Sequence, residues 1–130
     1  MGSEYTFYDF VDDSGTNVVH EWLQGIPNGA KQKFNKWLMH LEAMPPGTWT
    51  RPQVDTLTHH CSGLFEVRVP LSGQQYRILG AHSPDRRPTL LHCFIKSGRK
   101  VPDEECDQAQ LKKGQFEAEP AKHRVEHNYE

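Results

Sequence analysis

The 130-residue chain contains no long apolar run, and without about 18 consecutive apolar residues a membrane-spanning helix is excluded. Cysteine is scarce: Cys61, Cys93 and Cys106 form neither an even set nor a C-x-x-C pair. Reduced thiols are therefore expected, and a disulfide framework is not. The first residues, Met1-Gly2-Ser3-Glu4, lack a basic segment followed by an apolar one, so no secretory leader is expected and the cytoplasm is the expected compartment. No internal repeat or low-complexity segment is visible. A Walker loop, a G-x-G-x-x-G turn and a G-x-S-x-G elbow are all missing, which removes the support for nucleotide hydrolysis and serine-hydrolase chemistry. His59-His60-Cys61 with His82 matches no common zinc spacing, and no metal or other cofactor is expected.

What is present suits one globular unit. A chain of this size buries roughly two thirds of the surface its unfolded form exposes, enough for a core without covalent support. The formal charge of −2 hides an uneven distribution. Residues 1–50 carry three lysines and six acids, residues 51–100 carry eight lysines or arginines and three acids, and residues 101–130 carry four and eight. A cationic middle between acidic ends points to a local anion site, phosphate or nucleic acid. The opposing reading is that Arg86 and Arg87 sit in a turn and inflate the count.

Tyr5–Phe10 is aromatic-rich and predicts a first strand, closed by Asp12-Asp13-Ser14-Gly15. Asn17 can cap a short helix carrying Val19, Trp22, Leu23 and Ile26 on one stripe. Ala30–Met44 places Phe34, Trp37, Leu38, Leu41 and Met44 at helical spacing. Its other face bears Lys33, Lys36 and His40, a basic stripe that either touches phosphate or is simply solvated. After Pro45-Pro46-Gly47, residues 48–63 read as a turn-rich connection. Three strands follow over Leu64–Leu71, Gln75–Ala81 and Leu90–Lys96, with joins of hairpin length, so an antiparallel meander is expected. A last helix begins at Pro102 with Asp103, Glu104 and Glu105 in its first turn and stops at Gly114 behind Lys112-Lys113. Residues 115–130 are polar, without an apolar face, and a loosely docked tail is expected. The fold class is α+β in the order β-α-α-β-β-β-α, its meander packed on two helices.

Side chains alternate faces along a strand. Phe65, Val67, Val69, Tyr76, Ile78, Leu91, Cys93 and Ile95 fall on the face that the helices would cover. Glu66, Arg68, Arg77, His92, Phe94 and Lys96 fall on the other, read as uncovered. Three cations, an imidazole, a carboxylate and an aromatic ring are what RNA cleavage by the 2′-hydroxyl needs: a base, an acid, charge for the phosphorane and a stacking group. The same set also fits a solvated face with cross-strand pairs such as Glu66 with Arg77, worth about 0.2–1 kcal/mol each. Cys106 lacks an evident histidine partner in its own motif and suits packing better than nucleophilic attack.

Four pieces in order, Gly63-Leu64-Phe65-Glu66-Val67-Arg68, Gln75-Tyr76-Arg77-Ile78, Leu91-His92-Cys93-Phe94-Ile95-Lys96 and Val101-Pro102 before an acidic helix start, resemble the RelE/HigB-like toxins of bacterial toxin–antitoxin pairs, in particular their phage-derived-protein branch. The resemblance covers about residues 5–113. It implies a RelE-like toxin domain over residues 1–114, with residues 115–130 as an appended polar tail. The implied activity is metal-independent endoribonuclease cleavage of messenger RNA in the ribosomal A site. The implied partners are the ribosome with its messenger RNA and a cognate antitoxin, often a helix-turn-helix protein. By position, Arg77 would meet the scissile phosphate and Arg68 would stand at a second basic strand site. Lys96, Arg99 and Lys100 would close the site. Lys33 and Lys36, from the basic helix stripe, and Phe94, from strand alternation, are further candidate RNA contacts that the resemblance does not supply. Several relatives carry a tyrosine or histidine in the final helix where this chain has Cys106. His92, placed by alternation and not by the resemblance, is the candidate to take part instead. A non-catalytic module of the same fold, binding an antitoxin-like partner or RNA, and an RNase acting on free RNA use the same residues.

Overall fold

The first strand, β1 (Tyr8–Phe10), is short because Asp12 turns the chain, its carboxylate accepting from the backbone of Ser14 and Thr16 at 2.9 Å each. The computed structural model describes residues 5–49, 54–96, 98 and 100–130. Asn17 caps α1 (Val18–Gly25) as expected, its Oδ1 accepting from His20 N at 2.9 Å. Helix α2 (Asn28–Glu42) buries Ala30, Phe34, Leu38 and Leu41, the stripe read from its periodicity. It begins directly after Pro27, which has no N–H to leave unpaired.

The meander forms as expected from β3 (Phe65–Leu71), β4 (Gln74–Ala81) and β5 (Thr89–Ile95). Ser72 and Gly73, between β3 and β4, both adopt positive φ (52° and 81°), the twist a two-residue hairpin requires. Two further strands join it. The stretch read as connection contains β2 (Val54–Thr56), paired with β3, and a 3₁₀ turn at His59–Cys61. After α3 (Asp103–Ala118) and α4 (Pro120–His123), the chain adds β6 (Arg124–Glu126). Among the described residues the sheet has six strands in the order β2-β3-β4-β5-β1-β6, with β1 parallel to β5 and antiparallel to β6. Together with the helices this is an α+β fold of RelE-like kind.

The sheet is covered on both faces, which corrects the expectation of an open one. Helices α1 and α2 cover one face over Phe7, Phe34, Phe65, Val67, Val69 and Ile78. Helix α3 covers the other over Phe10, Leu64, Leu79, Leu91, Phe94 and Phe116. Leu91 belongs to this second core and not to the first. A register shift between Leu79 and Gly80 pairs Leu79 with His92 but Gly80 with Leu90, so Leu91 is the extra residue of a bulge and alternation breaks there. At that point a side chain on Gly80 would meet Phe65 Cζ at 2.5 Å and the Thr89 carbonyl at 2.8 Å. Ile95, also assigned to the covered face, is exposed.

Two other expectations change. Helix α3 does not stop at Gly114, and the segment after it is not loosely docked. Phe116, His123 and His127 are buried. His127 Nδ1 lies 2.7 Å from Asp9 Oδ1, its Nε2 lies 2.9 Å from Asn35 Oδ1, and its backbone N–H donates to the Phe7 carbonyl at 2.9 Å. Cys61 and Cys106 are joined by a disulfide between the 3₁₀ turn and α3, with Cα atoms 4.9 Å apart, so only Cys93 keeps the expected free thiol. Burial raises the pKa of that thiol. Among the described residues no helix is long and apolar enough to cross a membrane.

Candidate functional site

The pairing of β3 with β4 sets Arg68 directly opposite Arg77, two like charges, and Glu66 opposite Leu79. Glu66 reconciles them: its Oε1 is 3.0 Å from Arg68 Nη2 and its Oε2 is 3.5 Å from Arg77 Nη1. Arg77 and Glu66 have 0% and 1% of their surface exposed. Burial raises the pKa of Glu66, opposed by the charges of Arg68 and Arg77. Burial likewise lowers that of Arg77, opposed by Glu66. Both shifts mean that desolvation outweighs the attraction, so this pair fixes geometry more than it stabilises the fold. Arg77 also donates to the carbonyls of Gly98 and, at 3.3 Å, Lys100, and its guanidinium lies 5.9 Å from the Phe94 ring centre.

His92 is held between two residues of α3 that lie on one helical face, Glu105 and Lys112. Its Nε2 is 2.8 Å from Glu105 Oε1, and its Nδ1 is 3.0 Å from Lys112 Nζ. An ammonium can only donate, so Nδ1 accepts and Nε2–H donates to the carboxylate, which fixes one neutral tautomer. Burial lowers the pKa of His92, opposed by the Glu105 hydrogen bond, and burial also lowers that of Lys112.

The structure separates the residues grouped by alternation. Arg68, with 28% of its side chain exposed, Lys96 and Lys100 reach solvent. They surround the end of the meander where β3 finishes, β4 starts and β5 finishes, since Lys96 N–H donates to the Gln75 carbonyl at 3.1 Å and the Lys100 carbonyl meets Arg77. Arg77 has no path to solvent, and Phe94, 6% exposed, is packed under α3 and offers no open stacking platform. Lys33 and Lys36 are exposed on α2, in the layer opposite α3, and do not join the cluster. Arg99 lies outside the described residues.

One arrangement was missed by the sequence reading. His60 has Nδ1 3.2 Å from Asp107 Oδ1 and Nε2 3.6 Å from Asp103 Oδ2, with 56% of its side chain exposed. It lines a cleft of about 240 Å³ together with Asp55, His59, Lys100 and Asp103. The spacing of Asp103 and Asp107, one turn apart on α3, was the available signal, but nothing in the sequence brings His60 to them. Gln110 fastens this corner, donating to the carbonyls of His60 and Ser62 at 3.2 and 2.8 Å. Among the described residues no group of three or more His, Cys, Asp or Glu could hold a metal ion.

The arrangement thus consists of a basic rim at one end of the meander, a buried carboxylate–guanidinium pair beneath it, and, separately, an orientated imidazole under α3. A family model described as phage derived protein Gp49-like (DUF891) matches residues 21–113, which run from within α1 through most of α3. No curated protein matches the chain.

Proposed function

The chain belongs to the Gp49-like family of phage-derived proteins, and from that premise we propose that it is the toxin of a toxin–antitoxin pair, an endoribonuclease that cuts messenger RNA on the ribosome. Its partners on this reading are the ribosome with its bound message and a cognate antitoxin, and it works in the cytoplasm. The observation that carries the proposal is the set of cations that reach solvent at one end of the meander, half-buried Arg68 with exposed Lys96 and Lys100.

In the proposed reaction a 2′-hydroxyl oxygen attacks the adjacent phosphorus and gives its proton to a base. The bond to the 5′-oxygen breaks, and that oxygen takes a proton from an acid, leaving a 2′,3′-cyclic phosphate and a 5′-hydroxyl. Arg68, Lys96 and Lys100 offset the charge that builds on the phosphorane. His92 is the candidate for proton exchange, because burial keeps its ring neutral near pH 7 and Glu105 orients it. No step needs a metal.

A second reading, a non-catalytic module that binds RNA or an antitoxin-like partner, is favoured by one specific observation: both ring nitrogens of His92 are already engaged. Inducing the chain in bacteria and mapping new 5′ ends on translated and untranslated RNA separates the two. New 5′-hydroxyl ends confined to translated messages support the toxin. Equal cutting of untranslated RNA refutes ribosome dependence, and no new ends leaves the binding module.

A further inference from the structure

We infer that Arg77 is a positioning residue: from inside the fold it braces the Lys96–Lys100 loop, so that the loop's lysines and not Arg77 grip a phosphate. This rests on the RNA reading above. Arg77 has 0% of its surface exposed, so a phosphate oxygen cannot reach its guanidinium without displacing the Gly98 and Lys100 carbonyls that meet it. Its two terminal nitrogens are already engaged, while Nε is buried without a partner among the described residues. One fork of the guanidinium meets the Gly98 carbonyl and the other the Lys100 carbonyl at 3.3 Å, while Glu66 stands 3.5 Å away from the same group.

The loop is anchored at both ends independently of Arg77. Lys96 N–H donates to the Gln75 carbonyl at 3.1 Å, and Val101 is packed in the α3 core. Between these anchors the backbone reverses at Gly98, whose φ of 92° is left-handed. Two carbonyls, two residues apart, thus face the interior while the side chains of Lys96 and Lys100 face solvent. An inward carbonyl needs a buried donor. A planar guanidinium satisfies two at once and holds Gly98 and Lys100 at a set separation, whereas a lysine ammonium in the same place is a single flexible point donor. The sequence-level role of phosphate ligand therefore passes from Arg77 to the loop it holds.

The test uses the full chain, a single-stranded RNA oligonucleotide with 2′-O-methyl riboses that cannot be cut, and amide exchange across residues 98–101. Two variants are compared with the parent. Arg77→Lys keeps the charge and removes the fork. Gly98→Ala leaves the core alone, since nothing lies within 4 Å of the place its Cβ would take, and acts only on the left-handed backbone. Both should bind the oligonucleotide about tenfold more weakly, the scale of one charge-assisted hydrogen bond, and both should exchange faster in the loop, with Ile78 and Leu79 of β4 unchanged in Gly98→Ala. Arg77→Lys binding like the parent, or exchanging like it in the loop, overturns the brace. If Arg77→Lys does not fold, Gly98→Ala decides by the same two readouts. A parent that binds no RNA overturns the RNA reading and the loop's assigned ligand, and the exchange result still judges the brace by itself.

Discussion

Replacing His92 with glutamine should flatten the dependence of stability on pH below about pH 6.5. In the folded chain His92 is neutral, accepting from Lys112 and donating to Glu105, and burial holds its pKa below the ordinary 6.5. The unfolded chain releases the ring to water, where it takes up a proton near pH 6.5. Below that point the unfolded state binds the extra proton and the folded state does not, so acid favours unfolding. Stability from this group is fully present above the unfolded value and is lost as pH falls below it, down to the depressed folded value. For one proton the slope cannot exceed about 1.4 kcal/mol per pH unit. Urea titrations followed by tryptophan fluorescence at pH 5.5, 6.5 and 7.5 measure it in parent and His92→Gln, which cancels the seven other histidines common to both. Glu105→Gln should act in the opposite sense, extending the sloping window to lower pH, because it removes the contact that raises the His92 value. Equal slopes in parent and His92→Gln would refute the assignment of a buried, neutral ring.

Gly80→Ala should destabilise the fold by about 2 kcal/mol or more in the same titrations, because the clash at 2.8 Å is with the Thr89 backbone and not with a movable side-chain end; a loss under about 0.5 kcal/mol would contradict the packing described. Reducing Cys61–Cys106, or replacing Cys106 with serine, should cost about 4 kcal/mol by loop closure over a separation of 45 residues, read as a fall in Tm with reductant that the Cys106→Ser variant does not show. His127→Ala should cost about 3 kcal/mol or more, since it leaves Asp9, 0% exposed, without its imidazole partner; amides of β1 would exchange faster, and unaltered exchange there would count against a docked chain end.

The parts of the fold that could be read from the sequence are those whose periodicity runs long enough. Helix α2 carries Phe34, Trp37, Leu38 and Leu41 at helical spacing, and β3 to β5 run for seven or eight residues each, alternating except around the bulge at Leu91. The three-residue strands β2 and β6 carry too little pattern to be seen, and β6 is legible only through a partner more than a hundred residues away. The docked end was misjudged because it is held by polar groups, His127 with Asp9 and Asn35, where an apolar stripe was sought. The cover over the second sheet face was missed for a related reason: α3 packs through Cys106, Ala109 and Phe116, mostly small residues that make a narrow stripe. Alternation thus placed Arg77 and Phe94 on the correct face but not beneath a helix. At the site, Lys96 and Lys100 were legible as exposed cations and Arg68 as one that still reaches solvent, whereas the sandwich of His92 between Glu105 and Lys112 depends on how α3 crosses β5.

The place of β1 has a consequence for synthesis. Tyr8–Phe10 lies between β5 and β6, so the second strand of the chain to touch it on either side is made long after it: Tyr8 pairs with Thr89 on one side and Glu126 on the other. This strand must wait for residues 124–126 before both its edges are paired, a closure of high contact order that is slow to form. Until residues 124–127 are made, β1 keeps an open edge and the buried Asp9 lacks His127. Completion of the sheet is thereby tied to the segment that was read as an appended tail, which makes that segment part of the domain's folding unit.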